Sequence, residues 1–98
     1  MAKAYVIAFY REVKDADRLA AYAPLATKAI AEAGGRILVR GGRVKALESG
    51  TEERTVVIEF DSYEAACTYY DGDAYQAALE ALGEGAVVRE IRAVEGVD

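Results

Sequence analysis

The two halves of the chain follow the same order of elements, a strand, a helix and a strand, and this repetition restricts the fold more than any other feature. Runs rich in β-branched and aromatic residues predict the strands. Apolar residues spaced three and four apart predict a helix between the strands of each half. The predicted strands are Ala4–Tyr10, Arg36–Leu47, Arg54–Phe60 and Ala86–Val94.

The order β-α-β-β-α-β with right-handed crossovers corresponds to the ferredoxin-like arrangement. We therefore predict an α+β fold in which a four-stranded antiparallel sheet carries two helices on one face. A chain of 98 residues has the length of one domain. The predicted domain accordingly covers residues 1–98.

Glycine and proline predict where the elements are interrupted. Pro24 falls inside the first helical pattern and predicts a short turn of helix before a main helix, with Pro24 in the first turn of the latter. Gly41-Gly42 indicates a bulge within the second strand, and Ser49-Gly50 predicts the turn that follows it. Asp71–Asp73 predicts a break in the last helical pattern.

The predicted strands are apolar on both sides. In the first strand one face carries Tyr5, Ile7 and Phe9, and the other carries Val6, Ala8 and Tyr10. Two helices can cover only one face of the sheet, so the other would expose several hundred Å² of apolar surface, which soluble monomers seldom do. We expect a second copy of the chain to cover this face, which gives a homodimer joined through its sheets.

Composition excludes several classes of partner and cofactor. The net charge of −5 argues against binding to nucleic acids or anionic membranes, which requires clustered positive charge. The chain has no His and one Cys, so we expect neither a metal site nor a cofactor. The first residues run directly into a predicted strand, so we expect no leader peptide, and a single Cys favours the reducing cytoplasm.

Short motifs along most of the chain carry a family resemblance. They are Leu38–Gly42, Leu47-Glu48, Arg54 with Val56–Phe60, and Val94–Gly96. In this order they resemble the small bacterial family known as domain of unknown function 1330. The resemblance implies a dimeric α/β barrel, in which two ferredoxin-like subunits close their sheets against each other. The same superfamily includes cofactor-independent quinol-type monooxygenases, muconolactone-type isomerases and haem-binding relatives.

Arg40 and Glu59 are the candidate catalytic pair. If the hairpin turn is centred on Ser49-Gly50, the two residues lie opposite each other on neighbouring strands. A carboxylate beside a guanidinium could anchor a polar ligand group or accept a proton. The alternative is a cross-strand ion pair that maintains the hairpin register.

Tyrosines on the predicted helices are the candidate ligand-binding residues. A phenol combines an apolar ring with one polar group and suits a pocket for a flat organic ligand. The alternative is that these rings only pack against the sheet. The candidates are Tyr22, Tyr63, Tyr70 and Tyr75, and Tyr69 lies on the same helices.

Three functions remain open. In the first, the dimer binds a small apolar or aromatic metabolite between the helices and the sheet. In the second, the same pocket catalyses a cofactor-independent step, as a monooxygenase or an isomerase, in which Arg40 stabilises negative charge and Glu59 or a tyrosine moves a proton. In the third, the protein is a non-catalytic interaction or accessory subunit.

Overall fold

The computed structural model describes residues 2–98, so Met1, the first residue of the predicted domain, lies outside the described residues. This part of the chain forms four strands and three helices. The strands are β1 (Ala4–Val13), β2 (Arg36–Arg40), β3 (Arg54–Phe60) and β4 (Val87–Glu95). The helices are α1 (Ala16–Glu32), α2 (Tyr63–Asp71) and α3 (Asp73–Leu82).

The strands pair in the order β2-β3-β1-β4, and every neighbouring pair is antiparallel. The helices cover one face of this sheet. The order of elements and of strands is ferredoxin-like, which confirms the predicted α+β fold. The expected break at Gly72 is also present, and it divides the second helical segment into α2 and α3.

The core lies between the helices and one face of the sheet. Along β1 every second residue from Ala4 to Tyr10 is buried, and the residues between them are partly exposed. Phe60 of β3 is fully buried, with 0 % of its surface accessible, and its ring lies 5.0 Å from that of Tyr69. The alternating pattern therefore separates a helix-facing side from an open side, as expected for one layer of helices on one sheet.

The first helix is continuous, and its predicted division at Pro24 is wrong. Asp15 caps α1, and its side chain accepts a hydrogen bond from the backbone N–H of Arg18 at 3.1 Å. Pro24 lies inside the helix on its exposed side. Water can therefore hydrogen-bond the carbonyl that loses its helical partner, and the buried stripe on both sides of Pro24 holds the helix together.

The β2–β3 hairpin differs from the prediction in length and register. β2 ends at Arg40, because Gly41 adopts a φ of 68° that turns the chain away from the sheet. Residues 41–53 therefore form a long connection instead of a continued strand. The register shift lies between Ile37 and Val39, which places the bulge before the glycines.

The open side of the sheet is apolar at several positions. Its central row includes Ile7 of β1 beside Val57 of β3. Large apolar side chains at its margins are exposed, among them Leu38, Val39, Val88 and Val94. In residues 2–98 no helix has the length and apolar character needed to cross a membrane.

Candidate functional site

A cavity of about 100 Å³ lies between the helices and the sheet. Its apolar walls come from both layers, with Ala8 and Ile58 on the sheet and Ala26 and Ile30 on α1. One end is polar, because Arg89 of β4 and several tyrosines reach into it. An apolar cavity with a few convergent polar groups is the usual form of a small-molecule site.

Arg89 occupies the polar end of the cavity. Its Nη1 atom donates hydrogen bonds to the hydroxyls of Tyr10 at 2.8 Å and Tyr22 at 3.2 Å. Its Nη2 atom donates to the hydroxyl of Tyr75 at 3.1 Å. The guanidinium carbon also lies 5.4 Å from the centre of the Tyr10 ring and 5.1 Å from that of Tyr22, within the range of a cation–π interaction.

The register of the sheet explains how these groups come together. Tyr10 of β1 pairs with Arg89 on β4 and with Arg54 on β3, so all three side chains point to the helix-facing side. Tyr22 from α1 and Tyr75 from α3 approach from above, and their hydroxyl oxygens are 2.7 Å apart. The polar end of the cavity is therefore built by three strands and two helices.

Burial keeps three phenols near the polar end of the cavity neutral. Removal from water raises the pKa values of Tyr10, Tyr69 and Tyr75 above the ordinary value of a tyrosine. Burial opposes the charge of Arg89, but the interactions with Tyr22, Tyr75 and Tyr10 together favour it, and the pKa of Arg89 is raised. At neutral pH the Arg89 cation therefore lies beside the uncharged hydroxyls of Tyr10 and Tyr75.

The side chains around the cavity carry positive charge only. Arg40 and Arg54 line it together with Arg89, and none of the aspartates and glutamates among residues 2–98 does so. In a chain with a net charge of −5 this local excess of positive charge is unexpected. Nor does the described part of the chain contain a group of three or more His, Cys, Asp or Glu side chains that could hold a metal ion.

Arg40 and Glu59 do not form the predicted pair. Arg40 pairs with Val56 and lines the cavity, whereas Glu59 pairs with Arg36 and lies on the open side of the sheet. The expected register is wrong because the hairpin is not centred on Ser49-Gly50. The two residues are therefore on opposite faces, and their catalytic roles remain a prediction without a shared site.

Glu59 belongs to a separate polar group on the open side. Its carboxylate accepts hydrogen bonds from Nε of Arg36 at 2.9 Å and from the hydroxyl of Tyr5 at 3.2 Å. The bond from Arg36 lowers the pKa of Glu59 below its ordinary value, although partial burial opposes this shift. This geometry is that of a cross-strand ion pair.

Three of the four predicted ligand-binding tyrosines reach the cavity. Tyr22, Tyr70 and Tyr75 line it, whereas Tyr63 is not among its lining residues and is 42 % exposed. The predictions missed Arg89. A signal for it was present, because in β4 Arg89 alternates with Val87 and Ile91, both packed against the core.

Several solved structures share this fold. A protein of unknown function from Rhodopseudomonas palustris superposes with a TM-score of 0.75 and 14% identity over 99% of this chain and 84% of its own. A dimeric ferredoxin-like protein of unknown function from Thermobifida fusca gives a TM-score of 0.58 and 18% identity over 94% of this chain and 89% of its own.

A third similar structure comes from Caulobacter crescentus and has a provisional assignment as an antibiotic biosynthesis monooxygenase. Its TM-score is 0.59 at 17% identity, and the match covers 99% of this chain and 92% of that one. At such identities these likenesses establish the fold alone. The comparison with curated proteins gives no match.

The family comparison covers almost the whole chain. The model of the domain of unknown function DUF1330 matches residues 3–97. This match includes all the motifs that carry the resemblance noted in the sequence. The chain therefore belongs to the DUF1330 family.

Proposed function

We propose that this protein binds a small, largely apolar or aromatic metabolite in the cavity between its helices and its sheet. The observation that carries the proposal is the cavity itself, which has aliphatic walls and one polar end at Arg89. A ligand can bury its apolar body against the walls and satisfy its polar group at the arginine. This arrangement also favours ligand binding over the role of an accessory subunit without a pocket.

The chemistry of the cavity supports binding more than proton-transfer catalysis. A general base needs a pKa close to the working pH. The side chains that line the cavity in the described part of the chain are guanidinium groups, phenols, a threonine and apolar groups. Burial raises the pKa of Tyr75, so very little of it is present at neutral pH as the phenolate that could accept a proton. Glu59 lies on the other face of the sheet and does not reach the cavity.

The proposed assembly is a homodimer joined through the open sides of two sheets. Apolar side chains remain exposed on that side, including Val39 and Val94, and several hundred Å² of such surface is unusual for a monomer. The related structure from Thermobifida fusca is described as dimeric, which supports a dimer of this chain. The single Cys67, which cannot form an internal disulfide, supports the bacterial cytoplasm as the proposed compartment.

Titration with two small probes tests the binding site. Benzoate and its neutral isostere benzamide are added to ¹⁵N-labelled protein at neutral pH while amide shifts are followed by NMR. We expect at least one probe to shift residues that line the cavity. Ala8→Leu adds three carbon atoms to a buried side chain of the cavity floor and should abolish these shifts, because the added group occupies the space of the ligand.

Ala20→Leu is the matched control, since Ala20 is exposed on α1 and lies outside the cavity. It should leave the shifts as in the wild type. Absence of cavity shifts with both probes would contradict the proposed function. Equal binding by wild type and Ala8→Leu would contradict it as well, because the probes would then bind elsewhere.

A further inference from the structure

The polar end of the cavity offers hydrogen-bond donors beyond those used in the three bonds from Arg89. A guanidinium carries five N–H donors, and Arg89 uses three of them in bonds to tyrosine hydroxyls. The Tyr22–Tyr75 bond uses one of the two hydroxyl protons of that pair. The hydroxyl of Tyr75 also forms a hydrogen bond with that of Tyr69. Tyr10 keeps its O–H proton, in addition to the two N–H groups of Arg89 that make none of these bonds.

No acidic side chain of the described residues lines this end of the cavity. Arg89 is partly buried, and its hydrogen-bond partners are neutral phenols. Taking a cation out of water is costly unless a negative group compensates for it. The other charged groups that line the cavity, Arg40 and Arg54, add positive charge. A group that accepts hydrogen bonds and carries negative charge would satisfy both the surplus donors and the surplus charge.

The size and walls of the cavity restrict the rest of the ligand. An engineered cavity of about 150 Å³ with apolar walls holds one benzene ring. The present cavity measures about 100 Å³, and its remote walls are aliphatic, for example Ile30 and Ile58. Since this volume is smaller than that of the benzene-binding cavity, the ligand is at most a single small ring or a short aliphatic chain. The cavity leaves no room for a nucleotide or another large polyanion.

We infer that the ligand is a small monocarboxylic acid whose carboxylate binds Arg89 and the hydroxyl of Tyr10. The planar guanidinium matches a carboxylate in shape, and such charge-assisted bonds are stronger than neutral ones. The apolar body of the acid lies against the aliphatic walls. This inference rests on the proposed function and adds the chemical class of the ligand to it.

The comparison of benzoate with benzamide in the wild-type protein tests the inference directly. The two probes have the same ring and nearly the same size, but only benzoate is charged at neutral pH. We expect the dissociation constant of benzoate to be at least about tenfold lower, because hydrogen bonds to charged groups contribute more than neutral ones. The measurement is the NMR titration or isothermal titration calorimetry.

Substitution of Arg89 tests whether this residue causes the preference for benzoate over benzamide. Arg89→Met removes the charge and keeps an unbranched apolar chain similar to the aliphatic part of arginine, and we expect it to weaken benzoate binding at least about tenfold and leave benzamide almost unchanged. Arg89→Lys should retain part of the preference for benzoate, since it keeps the charge. Arg92→Met is the matched control on the same strand, because that side chain points to the open side and is 73 % exposed.

The outcomes separate the two proposals. If benzamide binds as tightly as benzoate in the wild type, the carboxylate inference fails while the binding function stands. If Arg89→Met folds and keeps the preference for benzoate, the assignment of the charge to Arg89 fails. The wild-type comparison decides the ligand class even if Arg89→Met does not fold. Failure of both probes to reach the cavity overturns the binding function itself.

Discussion

At the scale of single residues, Arg36 and Glu59 illustrate how register decides the partner of a charged side chain. Arg36 donates to Glu59 and also to Asp61, each at 2.9 Å, and so connects β2 with the end of β3. The bond from Arg36 to Glu59 stabilises the ionised carboxylate, and the pKa of Glu59 falls below its ordinary value. A lowered folded-state pKa contributes stability above the unfolded pKa of about 4.3, and this contribution is lost as the pH falls through the folded value.

The pH dependence of stability follows from the lowered pKa of Glu59 in the folded protein. Glu59→Gln should lower the unfolding temperature at neutral pH, because the amide cannot replace the charge-assisted bond to Arg36. The difference between wild type and variant should be constant above about pH 5 and should shrink below about pH 4, as the wild-type carboxylate becomes protonated. Thermal unfolding by circular dichroism from pH 7 to pH 2 measures this difference.

Glu84→Gln makes the same change of charge at an exposed residue in the connection between α3 and β4 and serves as the control. At neutral pH its unfolding temperature should differ from that of the wild type by less than the unfolding temperature of Glu59→Gln does. A Glu59→Gln difference that persists undiminished at pH 2 would contradict the assigned role of the carboxylate.

The residues of the site were only partly predictable from sequence. Tyr22 and Tyr75 could be selected because they occur on helices that must cover the sheet. Arg89 was not selected, since its partners come from three other elements and depend on the pairing of β1 with β4. Arg40 was selected for a partner that the true register places on the opposite face.

At the scale of elements, local chemistry predicted the order and type of strands and helices. Hydrophobic periodicity was sufficient for this, because it depends on neighbours along the chain. The continuity of α1 through Pro24 was not predictable, since it depends on packing that outweighs the local penalty of proline.

The β2–β3 connection shows the limit of turn rules in a long hairpin. Ser49-Gly50 does form part of a tight turn, in which the N–H of Gly50 donates to the carbonyl of Leu47 at 2.8 Å. Residues on both sides of this turn do not join the sheet, so the turn does not determine the register. The pairing follows instead from burial of Ile37 and Ile58 on the helix-facing side.

At the scale of the whole molecule, the sheet separates two surfaces with different proposed roles. The helix-facing side contains the cavity and its cationic end. The open side carries Ile7 and Val57 at its centre, and we propose that this surface is the dimer interface. In this arrangement the two ligand sites of a dimer lie on the outer sides of the paired sheets. Each site is then built by one subunit alone, and binding does not require the partner to contribute a residue.

Disruption of the open side should separate the subunits. We expect the wild type to sediment at twice the subunit mass of 10.5 kDa at micromolar concentration. Ile7→Asp places a charge at the centre of the proposed interface and should shift the protein towards the single-subunit mass. Analytical ultracentrifugation measures both, and circular dichroism verifies that the variant is folded.

Leu47→Asp makes the corresponding change at a side chain that is 68 % exposed in the β2–β3 connection, and it should leave the mass unchanged. A wild-type protein that sediments as a single folded subunit would contradict the sheet-to-sheet dimer. The ligand site would remain open to test, since all its side chains come from one chain.

A crystal structure of the wild-type protein grown with saturating benzoate tests the central claim most directly. We predict density for the ring between α1 and the sheet, with the carboxylate oxygens within hydrogen-bond distance of the Arg89 guanidinium. A cavity that holds only water, or a benzoate whose carboxylate points away from Arg89, would contradict the assignment of this cavity as a site for small carboxylic acids.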